Sequence, residues 1–231
     1  MRYVPAPPTE DPEDDYLPEG ILALPEQRPV RQFLLDIVQT LLIALLLFAV
    51  VQALVQNYVV TGRSMEPSVQ NGELIIVNKA VYFTVNRDTV DEYLPFIDLP
   101  EGEDVFLFHP PQRGEIVVLN SPQESDVNLI KRIIGVPGDV IELDGAGPIR
   151  INGTEIEEPW LSPGQRTQGP RRTVLGNTEY FVLGDNRRSS QDSRHWGTIE
   201  LDDIVGKALF TYWPPQDIGP AAHRTGAFAD A

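Results

Sequence analysis

The chain has 231 residues, 34 of them acidic and 18 basic, for a formal net charge of −16 and a pI near 4.5, and it contains no cysteine. That length suits one anchored domain of medium size or two small lobes sharing a core. The charge argues against a nucleic-acid ligand, which needs clustered Lys and Arg, and the lack of cysteine removes disulfides and thiolate chemistry.

Residues 1–30 are rich in Pro, Asp and Glu, with seven acidic residues and one Arg in the first 27. Such a segment is too polar and too proline-broken to pack and reads as a tail. Within an expected transmembrane helix over 31–56, the chain from Phe33 to Val55 is almost wholly apolar, with an unbroken stretch from Leu41 to Val51 and its polar exceptions Asp36, Gln39, Thr40 and Gln52 outside that stretch. About 20 such residues suffice to span a bilayer as a helix, and this run exceeds the apolar region of a cleavable signal peptide. Arg28 and Arg31 precede it closely, whereas only Arg63 follows within about 15 residues, which places the N-terminus in the cytoplasm and residues 57–213 on the extracytoplasmic face.

Beyond the span, short β-prone runs separated by turns predict an antiparallel, mainly β body: Glu73–Val77, Glu115–Leu119, Leu129–Ile134, Val140–Leu143, Tyr180–Leu183 and Val205–Phe210. Asn152-Gly153, between Ile149-Arg150-Ile151 and Thr154-Glu155-Ile156, predicts a two-residue hairpin. The acidic, aromatic-studded stretch 84–108 lacks a clear period and reads as an inserted loop. Residues 214–231, rich in Pro, Gly and Ala, read as a flexible tail.

Two segments carry the chemistry. Gly62-Arg63-Ser64-Met65-Glu66-Pro67 offers a serine hydroxyl just after the apolar span, and Asn128-Leu129-Ile130-Lys131-Arg132-Ile133-Ile134-Gly135 offers a lysine amine on a strand. A serine attacks a carbonyl only if a base removes its proton, and lysine is that base only when neutral. Bringing its pKa from about 10.4 to about 7–8 is worth roughly 4 kcal/mol of differential solvation, which burial must supply. By strand alternation Lys131 shares a face with Leu129 and Ile133, and Arg132 points the other way with Ile130 and Ile134. A third cluster, Tyr180 to Gly197, delivers a strand into Gly184-Asp185-Asn186 and a dense polar run able to brace a site.

These blocks, in this order, resemble bacterial type I signal peptidases, membrane-bound serine peptidases that remove signal peptides from exported preproteins. The resemblance runs from about Phe33 to Trp213 and includes Arg113-Gly114-Glu115-Ile116-Val117-Val118 and Pro137-Gly138-Asp139. It implies Ser64 as nucleophile and Lys131 as general base, with no metal and no cofactor. It further implies support from Ser190, from the ion pair Asp192–Arg194, and from Asp185 and Asn186. Tyr58, Val60, Met65, Leu129, Ile130 and Gln191 fall where the family lines shallow pockets for small side chains. The implied partners are signal peptides, cut after small-x-small segments, and the bilayer. Oligomeric state is left open. Gly62 stands where some members carry a serine that helps bind the oxyanion, so backbone N–H groups must serve here. Ser68 and Arg188 also depart from the common threonine and acidic residue. Two other readings use the same residues: a Ser/His/Asp hydrolase built on His195 with Asp185 or Asp192, and an anchored β-domain that binds exported chains without cutting them. The three histidines, His109, His195 and His223, are too dispersed to hold a metal.

Overall fold

A computed structural model describes residues 30–86, 104–145, 147–168 and 171–221. It divides into two units, Met1–Phe48 and Ala49–Ala231. The first contains most of helix α1 (Val30–Leu54), whose residues are all exposed and whose mean hydropathy of 2.6 and 25-residue length suffice for a membrane span. At about 1.5 Å per residue such a helix is long enough for a hydrocarbon core of roughly 30 Å. The helix ends two residues before the expected boundary, because Val55 already pairs in a strand. The expected tail over 1–29, the interior of the expected insert, 87–103, and residues 222–231 lie outside the described residues.

The second unit is mainly β and antiparallel. Its large sheet runs β1 (Val55–Val59), β2 (Leu74–Asn78), β13 (Ile204–Trp213), β5 (Ile116–Asn120), β6 (Asn128–Gly135), β11 (Glu179–Leu183), β12 (Ile199–Glu200). A smaller sheet runs β10 (Arg171–Val174), β7 (Val140–Leu143), β8 (Ile149–Ile151), β9 (Thr154–Glu155). The ends of the expected insert form a hairpin, β3 (Thr84–Asn86) with β4 (Asp104–Phe106). Asn152 and Gly153 have φ of 54° and 85°, the left-handed pair that closes β8 onto β9 as expected.

The strands read as they do because of what they bury. β2 alternates, sending Ile75 and Val77 into a core with Val60, Met65, Ile116 and Val118. β5 is apolar throughout because it is covered on both faces: Ile116 and Val118 join that core, and Val117 and Leu119 join another with Tyr82, Ile133 and Val182. A third cluster, including Ile134, Ile141, Ile151, Trp160 and Phe181, packs the small sheet against β6 and β11.

One expectation is corrected. Residues 214–221 are not a free tail: Pro215–Asp217 form a turn of 3₁₀ helix and β14 (Gly219–Pro220) pairs with β13, the Ala221 N–H donating to Leu209 O at 2.9 Å. Proline and glycine at the edge of a sheet are compatible with such pairing, so composition alone misled.

Beneath the sheet, the buried Glu115 carboxylate accepts from the Tyr82 hydroxyl at 2.7 Å and from the Gln112 N–H at 3.0 Å, and is ion-paired to Lys207. Burial pulls its pKa up, but the Lys207 ammonium and these donors outweigh burial and hold it below the usual carboxylate value. A depressed carboxyl stabilises the fold above the ordinary pKa and loses that contribution as pH falls. Glu115→Ala should therefore cost about 3–5 kcal/mol at pH 7, with a deficit that shrinks in acid. Urea titration of the detergent-solubilised chain at pH 7 and pH 4 checks both statements.

Candidate active site

Four segments converge. The loop after β1 carries Ser64 and closes on itself, the Val60 N–H donating to Glu73 O and the Gly72 N–H to Val60 O, both at 2.8 Å. β6 carries Lys131 and Arg132. The turn after β11 carries Gly184, Asp185 and Asn186. Beyond it lies the short helix α2 (Ser193–Trp196), capped by Asp192.

Lys131 Nζ lies 3.2 Å from Ser64 Oγ, in hydrogen-bond contact, and donates to Ile130 O at 2.9 Å. The lysine is 2% exposed. Burial pushes its amine down to about 8, against the Asp192 and Asp185 carboxylates, which favour the charged form. The fall from the ordinary value of 10.5 corresponds to roughly 3 kcal/mol. β11 pairs with β6 only from Arg132 to Gly135, so among the described residues Asn128–Lys131 have no strand partner on that side.

The turn after β11 is bolted to both chemistry-bearing segments. The Asn186 N–H donates to Ser64 O at 2.9 Å. Asp185 is wholly buried and receives Arg132 in a two-pronged pair, Nε to Oδ1 at 2.9 Å and Nη2 to Oδ2 at 2.7 Å. Arg132 also donates to Gly114 O at 2.7 Å and to Ser68 Oγ at 3.4 Å, and its guanidinium carbon stands 4.8 Å from the Trp160 ring centre. Gly184 is the close-approach point. A Cβ there would fall 2.2 Å from Ser190 Oγ and 2.5 Å from Ser64 O, so any side chain displaces one of them.

Asp192 is held by Arg194, Nε to Oδ1 at 2.7 Å and Nη2 to Oδ2 at 2.8 Å, and by the Gly184 N–H at 3.0 Å. Burial would raise its pKa, but Arg194 and these donors keep it below the usual value. Ser190 is buried beside Asp192 and makes no hydrogen bond to Lys131. His195 is half-exposed and its Nδ1 faces the Asp192 N–H at 3.4 Å, in the capping box of α2. It makes no bond to Ser64 among the described residues, so the geometry of a Ser/His/Asp triad is not formed.

A small cleft of about 70 Å³ opens beside the pair, lined by Tyr58, Val60, Ile75, Val118, Leu129 and Ile130 together with Ser64 and Lys131. Of the residues assigned to pockets by sequence, Tyr58, Val60, Leu129 and Ile130 border this cleft. Met65, 1% exposed, packs in the core beneath it, and Gln191 lies in a separate polar cleft. Sequence alone places Arg132 on β6 but gives it no role at the site, and it does not single out Trp160. An arginine flanked by isoleucines on a β-strand was the available signal, since such a residue must find a carboxylate. Among the described residues no group of His, Asp and Glu is disposed to hold a metal.

The sequence model of the family described as signal peptidase, peptidase S26, matches residues 32–213, which include all four segments. The chain belongs to that family. It is 37% identical over 171 residues to signal peptidase I of Bacillus caldolyticus, covering 68% of this chain and 79% of that protein. It is 31% identical over 186 residues to signal peptidase IB of Staphylococcus aureus strain COL, covering 73% and 83% respectively. A crystal structure of a signal peptidase I from Enterococcus faecalis V583 aligns with 43% of this chain and 97% of its own, at 28% identity and a TM-score of 0.38.

In this peptidase the close approach at Gly184 gives a direct check. Gly184→Ala should lower kcat about 100-fold, the order of loss for a displacement near 1 Å among reacting groups. Peptide cleavage, with circular dichroism to confirm a folded variant, measures it.

Proposed function

We propose that this signal peptidase cuts exported preproteins with Ser64 as nucleophile and neutral Lys131 as general base. The observation that carries the reading is a lysine amine 2% exposed, depressed to about 8, and in hydrogen-bond contact with a serine hydroxyl. Ser64 Oγ attacks the scissile carbonyl carbon while its proton passes to Lys131 Nζ. Ile130 O, accepting one amine hydrogen, helps aim the amine at the hydroxyl. The tetrahedral oxyanion needs donors. The Ser64 N–H is unspent among the described residues and suits that task, whereas the Gly62 N–H is committed to Asn71 Oδ1 at 2.8 Å. The ammonium then returns its proton to the leaving amine. Water, deprotonated by the same amine, cleaves the acyl-enzyme and restores Ser64.

The substrate is read as an extended chain lying along the unpaired edge Asn128–Lys131, its backbone adding to the sheet. A cleft of about 70 Å³, walled by Val60, Ile75, Val118 and Leu129 alongside Thr61 and Asn128, admits small side chains before the cut and excludes large ones. Asp192, Arg194, Asp185 and Asn186 act as positioning residues, fixing the turn against Ser64 and the base. Helix α1 anchors the enzyme in the bilayer, with the N-terminus cytoplasmic and the catalytic unit on the extracytoplasmic face, as Arg28 and Arg31 ahead of the apolar run from Phe33 favour.

Ser64→Ala and Lys131→Ala should each abolish cleavage of a preprotein presented in detergent or liposomes, with the product N-terminus mapped by mass spectrometry. For the wild type, kcat/KM should rise with pH through an apparent pKa of about 8, because the base works only when deprotonated. Retained activity in either Ser64→Ala or Lys131→Ala, or loss of cleavage in His195→Ala, would overturn the assignment. Stability carries a matching sign. The unfolded lysine keeps its proton up to about 10.5, so between about 8 and 10.5 the unfolded state binds more protons and stability rises with pH. Lys131→Met should therefore raise Tm near pH 7 by roughly 2–4 °C while abolishing cleavage, which differential scanning fluorimetry reads directly.

A further inference from the structure

The polar cleft that holds Gln191 has a volume of about 740 Å³. Its lining includes Arg187, Arg188, Ser190, Gln191, Arg194 and His195, in a chain whose formal charge is −16. It adjoins the nucleophile through Gly184, at which a Cβ would touch both Ser190 Oγ and Ser64 O. The two clefts differ in charge: the small one mixes Leu129, Ile130 and Val118 with Thr61 and Asn128 and has Lys131 as its one cation, whereas the large one carries Arg187, Arg188 and Arg194.

The charges in the large cleft are not equivalent. Arg187 is paired to Glu158 and buried, and Arg194 is paired to Asp192. Arg188 is exposed and makes no ion pair among the described residues. An unpaired arginine with free N–H donors at the edge of a polar cleft recognises a carboxylate.

A signal peptide approaches the cut from its apolar side, and the residues after the cut are the polar start of the mature protein. Resting on the peptidase reading above, we propose that this cleft is the subsite for the first residues of the mature protein, and that Arg188 gives it a preference for acidic side chains there. The volume is of the size that accepts a few residues rather than one side chain. Because Arg188 is solvent-exposed, the preference is modest and salt-sensitive.

The test uses the full chain in detergent micelles and three peptides sharing one small-x-small segment, with Asp-Asp, Asn-Asn or Lys-Lys at the second and third positions after the cut. The Asp-Asp peptide should exceed the Lys-Lys peptide in kcat/KM by about three- to five-fold at low salt, with the ratio collapsing toward one in 0.5 M NaCl. Arg188→Glu should invert the ratio, and Arg188→Gln should bring it close to one. If all three peptides are cut equally, the peptidase reading stands and the subsite is overturned. If the ratio survives unchanged in Arg188→Glu, the assignment to Arg188 is overturned. If no peptide is cut, both readings fall.

Discussion

The site depends on keeping one amine out of water. Lys131 sits on a strand packed against isoleucine, valine and leucine, and the contacts of its amine with Ser64 Oγ and Ile130 O and the nearby carboxylates only partly offset the hydration that a charged ammonium would lose. Its depressed pKa is the result, and the rest of the architecture preserves it. β5 shields the strand from one side, and the loop carrying Ser64 brings Met65 and Val60 into the core and leaves the hydroxyl as the amine's partner. The carboxylates of Asp185 and Asp192 work against neutrality, but each is engaged by its own arginine and so cannot close onto the amine. The arrangement costs stability near neutral pH, which is the usual consequence of a site built to hold an unfavourable protonation state.

The second requirement is that three segments far apart in sequence meet to within a few tenths of an ångström. The Arg132–Asp185 pair does this between β6 and the turn after β11, with no water-exposed atom on either side chain. A buried pair of this kind is weak as a source of net stability and strong as a constraint, because removing either partner leaves a bare charge. Trp160, from the region around the small sheet, stacks on the same guanidinium. The smaller lobe is thereby tied to the proposed nucleophile through Arg132 and Ser68. Gly184 completes the junction by having no side chain where Ser190 and Ser64 converge.

Much of this was legible in the sequence where the signal is local. The apolar run predicts α1, the β-branched runs predict β2, β5 and β6, and Asn152-Gly153 predicts the hairpin because positive φ at two successive positions leaves few residue choices. Ser64 and Lys131 stood out as a pair only because of the ordered blocks around them. What was not legible is non-local. Arg132 and Asp185 are separated by 53 residues, and no periodicity links them. Pro215 to Pro220 looks like a fraying tail by composition, yet pairs with β13 because an edge strand was available. Ser190 lies buried at the junction with Asp192 and Gly184, a placement set by packing across the turn that no sequence periodicity shows. The pairing of a small cleft at Ser64 and Lys131 with an arginine-rich one beside Ser190 likewise exists only in three dimensions.

The central claim is that Lys131 is neutral under working conditions, and the most direct measurement is an NMR titration of the detergent-solubilised enzyme, following the ε-methylene and amine signals assigned to Lys131 by their loss in Lys131→Met. The expected midpoint for that residue is about 8. A midpoint for Lys131 near the ordinary lysine value of about 10.4 would mean that the amine is charged when the enzyme works, and the proposed base would have to be abandoned.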